Sequence, residues 1–508
     1  MKLKIKKINF ETGNVQDAIL NSKDAEKLGQ KAGERIILKS KGSGNAIGGP
    51  RVAILRITSS EEIVPPGHIG ILMDTIENVK EGTVVSVNPA DPPDSFAFIK
   101  KKIKGKKLTS TEINGIIDDA VSGLLSHIEI ASFITGVSIH GMDEEEMTSL
   151  TEAEAKSGTI FDFGPEVFDK HSTGGVPGNK VSLIIVPIVA AAGLSIPKTS
   201  TRAITSPSGT ADSMEVLAPV TFRTEELKEL ITKKKACIVW GGAVDMAPAD
   251  NVLIEIEKPL KSDPVGLMIP SILCKKMSMG VRKLVLDIPC GPGTKFPTPE
   301  DGRSFAHLFK KIGRNVCMEA ECATTLAQQP VGHAVGPAIE AKEALSLLRD
   351  YSAGPNSLIE KSTGLAGILL EMGGKAERGK GQDFAKQLLK SGKAYQKMQE
   401  IIQAQGGDPD ITPEDIKLGP HQKEFYATKS GHITEVNNAV INQIAKRAGC
   451  PSSKSSGIEI FKKQGAKIEE GEIIFKIYSS SQSKLRKAEK IYNASPPQVL
   501  GGMLIERI

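Results

Sequence analysis

The sequence predicts an α/β protein with a β-rich module at each end, and three patterns carry that prediction. Between about 160 and 420, apolar strand-like runs such as ACIVWGG (236–242) and KLVLDIPC (283–290) alternate with helical stretches, as strands crossed by helices do. Residues 1–84 instead alternate short β-rich runs, RIILKS, RVAILRIT and HIGILM, with turns such as GSGN and VPPGHIG. Residues 421–508 repeat that habit in HITEV, IEIFKK and EIIFKIY.

The N-terminal module reads as a small β-barrel-like domain with one helix, KDAEKLGQK. From about 85 the spacing turns helical: TSTEINGIIDDAVSGLL opens with Thr109 and Glu112 at capping-box spacing, and DEEEMTSLTEAEAKSG places acidic residues at a helix start. The longest apolar run, VSLIIVPIVAAAGLSI (181–196), is short for a membrane span and contains Pro187, so a buried helix is expected there. AQGGDPDITPED (404–415) marks the passage into the C-terminal module.

A chain of 508 residues is too long for one core and predicts three or four domains. With 39% hydrophobic and 25% charged residues, most of it can fold. Only 4% is aromatic, and 65 basic against 60 acidic residues leave a net charge of +5, which gives no footing for nucleic-acid binding. The N-terminus MKLKIKKINF lacks the apolar core of a signal peptide, so a cytoplasmic protein is expected. The six cysteines form no CxxC pair and read as reduced thiols. The eight histidines are dispersed without an HxxxH or HExxH pattern, so no metal site is expected.

Three glycine-rich turns follow strand-like runs. DKHSTGGVPGNK (169–180) precedes the long apolar helix, a place where exposed backbone N–H groups receive an anion. Lys170 and His171 add positive charge, and Ser172 and Ser182 add hydroxyl donors. The plain alternative is that the glycines only permit a tight turn. KTSTRAITSPSGTAD (198–212) is a second Ser/Thr/Gly cluster, around Arg202, and DIPCGPGTKFPT (287–298) is a third, carrying Lys295. Three such loops ending α/β strands point to a site at the carboxyl edge of the sheet, with phosphate as the natural ligand.

These segments also carry a resemblance. KHSTGG, TSTRAIT, PADNVL (248–253), SDPVGLMIPSILCKKMSMG (262–280) and GPGTKFPT stand in the order found in the thymidine phosphorylase superfamily, over roughly residues 85–508. Within it, GTAD after RAIT, VWGGAVDMAPAD, IPCGPGTK and the 84-residue N-terminal extension are similar to the archaeal branch acting on nucleoside 5′-monophosphates. The thymidine enzymes carry an Arg where this chain has Ile256, a His where it has Ser206 and a Phe where it has Lys295. Losing that Arg removes a contact to the pyrimidine, and Lys295 adds a positive charge.

The resemblance implies a nucleoside phosphorylase fold: a helical domain from 85–155 and 255–282, and a central α/β domain from 156–254 and 283–420 that binds phosphate across a closing cleft. It implies conversion of AMP and inorganic phosphate to adenine and ribose 1,5-bisphosphate, with CMP and UMP as further candidate substrates. Phosphate is then a co-substrate, no organic cofactor is needed, and dimers assemble into larger homo-oligomers. Lys170, Ser172, Ser182, Ser200 and Thr210 match the positions that bind inorganic phosphate. Gly175, the run Thr201, Arg202, Ala203, Ile204, Thr205 and Ser206, and also Thr210, Ser271, Lys275 and Lys295, match positions that bind AMP.

Each role has an ordinary competitor. A single Ser or Thr more often caps a helix. Arg202 either meets a phosphate bidentately or makes a surface ion pair. Asp263 matches the proton donor to the leaving base, a task that asks for a raised pKa, which burial beside VGLMIP would supply; alone, Asp263-Pro264 is a helix-start turn. Ser271 and Lys275 share one helix face, towards the base by resemblance, whereas Lys276 reads as a solvated lysine. His171 is a secondary catalytic candidate that donates to phosphate or ribose. Lys295 is assigned to the 5′-phosphate.

Three rivals remain. A pyrimidine nucleoside phosphorylase is the nearest. An anthranilate phosphoribosyltransferase-like enzyme needs an acidic pair for Mg²⁺, for which MEAEC (318–322) is the nearest match. A non-catalytic scaffold would rest on the two β-rich end modules.

Overall fold

The computed structural model describes residues 1–10, 16–40, 47, 49–72, 79–203, 206–244 and 246–501. Ile204 and Thr205 of the second glycine-rich loop lie outside the described residues. The chain forms two compact units, one of Met1–Thr159 with Ala247–Lys275, the other of Ile160–Met246 with Lys276–Ile508.

The first unit opens with β1 (Lys2–Ile8), β2 (Asp17–Asn21), β3 (Arg35–Ser40), β4 (Arg51–Thr58), β5 (His68–Leu72) and β6 (Val84–Pro89). These six strands close into a barrel in the order β1-β5-β2-β4-β3-β6, as the sequence predicted for this module. Alternation does the work: in β1 Leu3 and Ile5 turn inward between exposed lysines and meet Leu20, Leu38, Leu55 and Val87. The helix α1 (Ser22–Leu28) is capped by the Asn21 side chain and stopped by Gly29 in the left-handed conformation.

Four helices follow: α2 (Ser95–Ile103), α3 (Ser110–Val121), α4 (His127–His140) and α5 (Glu144–Lys156). The capping box read from Thr109 and Glu112 is formed, and Ser126–Glu129 and Asp143–Glu146 make two more. Glu129 also takes Arg35 of β3 at 2.6 Å, which ties the barrel to the helices.

The second unit begins with β7 (Phe168–Ser172), α6 (Ser182–Ala191), β8 (Ile196–Ser200), α7 (Thr210–Met214), α8 (Thr224–Lys234) and β9 (Ala236–Trp240). The run from Ser182 to Ala190 is wholly buried, which makes α6 the expected apolar helix rather than a membrane span. Among the described residues no helix is long and apolar enough to cross a membrane. The chain then returns to the first unit for α9 (Pro248–Leu260) and most of α10 (Val265–Ser278). Ile256, Leu253 and Leu267 there join Ile113, Phe133 and Leu150 in one apolar core.

Back in the second unit come β10 (Lys283–Cys290), α11 (Pro299–Asn315), β11 (Glu319–Leu326), β12 (Ala334–Val335), α12 (Pro337–Arg349), α13 (Asn356–Met372), α14 (Gly381–Lys390) and α15 (Lys393–Ala404). β10 pairs in parallel with β7 on one side and β11 on the other, while β8 pairs with β9. A parallel bridge from Val167 to Ser195 joins the two groups, so the strands run β9-β8-β7-β10-β11. The chain winds outward from β7 to β9 and then returns to the other side of β7. That reversal between β7 and β10 is a topological switch point, where open α/β sheets hold ligands.

The last part consists of β13 (His421–Tyr426), β14 (Gly431–Val436), α16 (Asn438–Ala448), β15 (Gly457–Ile460), β16 (Lys467–Ile468), β17 (Ile473–Ser479), α17 (Gln482–Ala494) and β18 (Gln498–Gly501). Two small sheets, β12-β15-β17-β13 and β16-β14-β18, share a core of Ile458, Ile477, Phe475 and Ile441. The module is β-rich as expected, with two helices that the β-runs did not announce.

Candidate active site

The first glycine-rich loop leaves the carboxyl end of β7 beside that of β10. Gly174, Gly175 and Gly178 adopt φ of 82°, 89° and 70°, which L side chains rarely take. Space forbids a side chain as well: a Cβ at Gly175 would stand 2.9 Å from Thr294 Cα, and one at Gly178 would stand 2.7 Å from the Val331 carbonyl oxygen. The first and third glycine-rich loops therefore press against each other. Lys180, fully buried, fastens this arrangement by donating to the carbonyls of Val331 (3.1 Å) and Ala334 (2.8 Å) and to the Glu343 carboxylate.

Beneath the loop lies Asp287, the one charge in the buried run of β10. Thr325 Oγ1 donates to Asp287 Oδ1 at 2.6 Å, and Asn179 Nδ2 donates to Oδ2 at 3.3 Å and to Ser172 Oγ at 3.1 Å. Lys361 Nζ stands 3.0 Å and Lys170 Nζ 3.5 Å from the same Oδ2. Burial alone would raise the Asp287 carboxyl, but the charges of Lys361 and Lys170 and the Thr325 hydrogen bond hold it far below the usual range. Burial pushes Lys170 down to about 8, against the pull of Asp287 and with Lys361 adding to the depression. Ser182, the first residue of α6, is buried, whereas His171 on β7 is half-buried.

A second buried group occupies the middle of β7. Asp169 takes Lys276 at 2.5 Å and Lys198 at 3.5 Å. Lys276 is thus not the solvated lysine its position suggested: its side chain is 2% exposed, and the ammonium also lies 3.4 Å from Thr199 Oγ1. Burial pushes Lys198 down to about 7.

The second glycine-rich loop holds itself together with its own charges. Arg202 closes bidentately on Glu215, at 2.6 and 2.7 Å, and its guanidinium lies 4.9 Å from the Trp240 ring. The fork expected to receive a phosphate is therefore occupied by a carboxylate, which is the ion-pair alternative. Arg202, with Lys454 at 2.5 Å, holds Glu215 at about 2. Asp212 accepts from the Ala203 N–H at 2.7 Å and the Gly209 N–H at 2.9 Å. Ser200 Oγ donates to the Thr201 carbonyl, Ser206 Oγ donates to the Ser208 carbonyl, and Thr210 opens α7. Thr201 and Lys295 are exposed.

The remaining expected residues belong to the first unit. Asp263 is exposed just ahead of α10, so the neighbouring VGLMIP does not bury it: Leu267 and Ile269 turn inward without taking the aspartate with them. Ser271 and Lys275 do share a helix face, with Lys275 Nζ 3.2 Å from Ser271 Oγ. Behind them, Lys275 meets Asp250 at 2.5 Å, and Glu154, Asp250 and Cys274 bring their oxygen and sulfur atoms within 4.8 Å of one another. Burial and the Asp250 charge push Glu154 well above the carboxylate range, and burial does the same to the Cys274 thiol. Burial opposes the charge on Lys275, yet Asp250 outweighs it and the ammonium is strengthened.

Sequence reading missed Asn179, Thr325, Lys361, Asp250 and Glu154. Asp287 had a signal, a lone acid inside an apolar strand; Lys361 in NSLIEKSTGLAGILLEM had none. The acidic pair of MEAEC is misplaced for a metal at this edge. Glu319 opens β11, about 23 Å of strand rise from Leu326 at the carboxyl end, and Glu321 is paired with Lys310 at 2.9 Å.

Comparison with known proteins agrees with this architecture. Residues 97–158 match the helical bundle domain of a glycosyl transferase family, 164–281 match its a/b domain, and 432–496 match the pyrimidine nucleoside phosphorylase C-terminal domain. The fold resembles that of anthranilate phosphoribosyltransferase from Thermus thermophilus, with a TM-score of 0.52 and 18% identity, over 62% of this chain and 99% of that one. The AMP phosphorylases of Thermococcus kodakarensis and Pyrococcus furiosus are 45% and 44% identical, each over 100% of this chain and 99% of the relative. That of Methanocaldococcus jannaschii is 42% identical over the same shares. With a glycine-rich loop at the switch point and full-length likeness of this order, the chain belongs to the AMP phosphorylase family of enzymes.

Proposed function

We propose that the chain catalyses phosphorolysis of nucleoside 5′-monophosphates, converting AMP and inorganic phosphate to adenine and ribose 1,5-bisphosphate, with CMP and UMP as further substrates. The observation that carries this reading is the pair of lysines around Asp287 beneath the glycine loop, a fixed cationic floor for an oxyanion.

In this reading Lys170, Ser172, Ser182, Ser200 and Thr210 hold inorganic phosphate. A phosphate oxygen attacks C1′ of the ribose while the C1′–N bond breaks, and the departing electron pair passes to the base. Asp263 matches the proton donor to the base nitrogen by resemblance, and since it is exposed here that role requires bound nucleotide to cover it; His171 is a second donor to phosphate or ribose. Ser271 and Lys275 face the base. Lys275 stays an ammonium because Asp250 stands against it, so it meets electron density accumulating on the leaving ring. Gly175, the stretch Thr201 to Ser206, Thr210 and Lys295 complete the nucleotide site. Lys295, exposed on the third glycine-rich loop, is assigned to the 5′-phosphate.

The reaction asks for no organic cofactor and no metal ion. This reading puts the protein in the cytoplasm, as a homodimer that assembles into a larger homo-oligomer.

Release of free base from AMP, CMP, UMP, adenosine and thymidine, each with and without phosphate, tests the reading. Phosphate-dependent release from the monophosphates with little from nucleosides is expected. Release chiefly from thymidine would move the chain to the pyrimidine branch, a second reading that the match of its C-terminal domain favours. Phosphate-independent release would overturn both.

A further inference from the structure

Two lysines share one carboxylate beneath the glycine loop, and the second of them has no task yet. Lys361 comes from α13, its side chain is 8% exposed, and its Nζ lies 3.0 Å from Asp287 Oδ2. Beyond that charge contact, the ammonium has no hydrogen-bond acceptor among the described residues. An ammonium carries three donors, and leaving them unmade in a buried site is costly. The other contacts of Asp287 are spoken for: Thr325 fills Oδ1, and Asn179 bridges Oδ2 to Ser172 of the loop. Thr173 Oγ1, on the same loop, is also buried without a partner. Two cations, one anion and idle donors leave one net positive charge in the cluster.

We propose that Lys361 is a second cation of the oxyanion site, sharing Asp287 with Lys170 so that both ammonium groups hold one phosphoryl group. The inference rests on the phosphorolysis reading for the identity of that group, which is inorganic phosphate or the phosphate of the nucleotide. Lys361 cancels the charge of Asp287, and Lys170 is thereby released from a closed ion pair. The ligand receives two donors on one side rather than one.

The test measures binding of inorganic phosphate and of AMP separately, by calorimetry on the full chain, for wild type, Lys361→Met, Lys361→Arg and the double variant Lys361→Met/Asp287→Asn. The double variant removes the buried carboxylate that Lys361→Met would strand, so folding and binding are read apart. We expect Kd to rise about tenfold or more in both methionine variants and to stay near wild type in Lys361→Arg. A rise for phosphate assigns the inorganic ion, and a rise for AMP assigns the nucleotide's phosphate. A Kd shift below about threefold for both ligands in the folded double variant would overturn the proposal. Base release by the wild type is recorded alongside. Its failure with phosphate binding intact would sink the phosphorolysis reading and leave the assignment of Lys361 standing.

Discussion

Two buried charge clusters, one in each unit, solve opposite problems. Around Asp287 two lysines face one carboxylate, an excess of cation. Around Lys275 one ammonium faces Asp250, Glu154 and the Cys274 thiol, an excess of acid. The first imbalance persists within the chain, and the proposed phosphate would relieve it. The second is eased from within, because burial pushes both Glu154 and Cys274 towards their protonated forms. The lesson is that a buried imbalance suggests a ligand site where it survives at neutral pH, as the charge on Lys170 does below about pH 8.

Substitutions can break this contrast. The largest effect is expected from Lys170→Met, which should lower kcat/KM about a hundredfold or more, since it removes a buried cation at the loop. A steady-state assay with phosphate varied checks it, and a loss below about tenfold would disconnect the cluster from the reaction. Next comes a pair of variants in the other unit. Asp250→Asn strands Lys275 and should destabilise that unit by about 3 kcal/mol, whereas Glu154→Gln, which replaces a neutral acid by a neutral amide, should stay within about 1 kcal/mol. Urea unfolding measures both, and equal losses would mean that Glu154 is ionised.

The pH response sharpens the comparison further. Lys170 must carry a proton to hold an anion, and burial pushes its pKa down to about 8. Phosphate affinity should therefore be full below pH 8 and fall as the pH rises through it. The groups around Lys170 that shape this response are Asp287, Lys361 and Asp169. Bound phosphate strengthens the ammonium, so the limb in kcat should lie at higher pH than the limb in kcat/KM. Coincident limbs would assign the titration to another group. The smallest effect is expected from metal removal: dialysis against EDTA should leave activity unchanged. Lys275 already supplies the positive charge at Glu154, Asp250 and Cys274.

Much of the frame was legible because its causes are local. The six-stranded barrel follows from alternation, the cap of α3 follows from residues three apart, and the glycine turns follow from positive φ at Gly174, Gly175 and Gly178. What was lost depends on partners distant in sequence. Lys361 and Asp287 are 74 positions apart, and no pattern in α13 distinguishes that lysine from a solvated one. Lys276 was misread because one step along α10 turns a side chain by about 100°, away from Lys275 and towards Asp169. Arg202 and Asp263 were read for their chemistry, but Glu215 and exposure determine their surroundings. The helix α17 buries only Leu485, Ala488 and Tyr492 among thirteen residues, a stripe too thin to compete with the neighbouring β-runs.

Lys180 gives the loop a further property. A cation that is part of the chain cannot be diluted, so the oxygens of Val331, Ala334 and Glu343 meet it at an effective concentration independent of the medium. The ordering of the loop is then completed during folding. Added salt, which screens exposed charges, should therefore leave the shape of the loop unchanged.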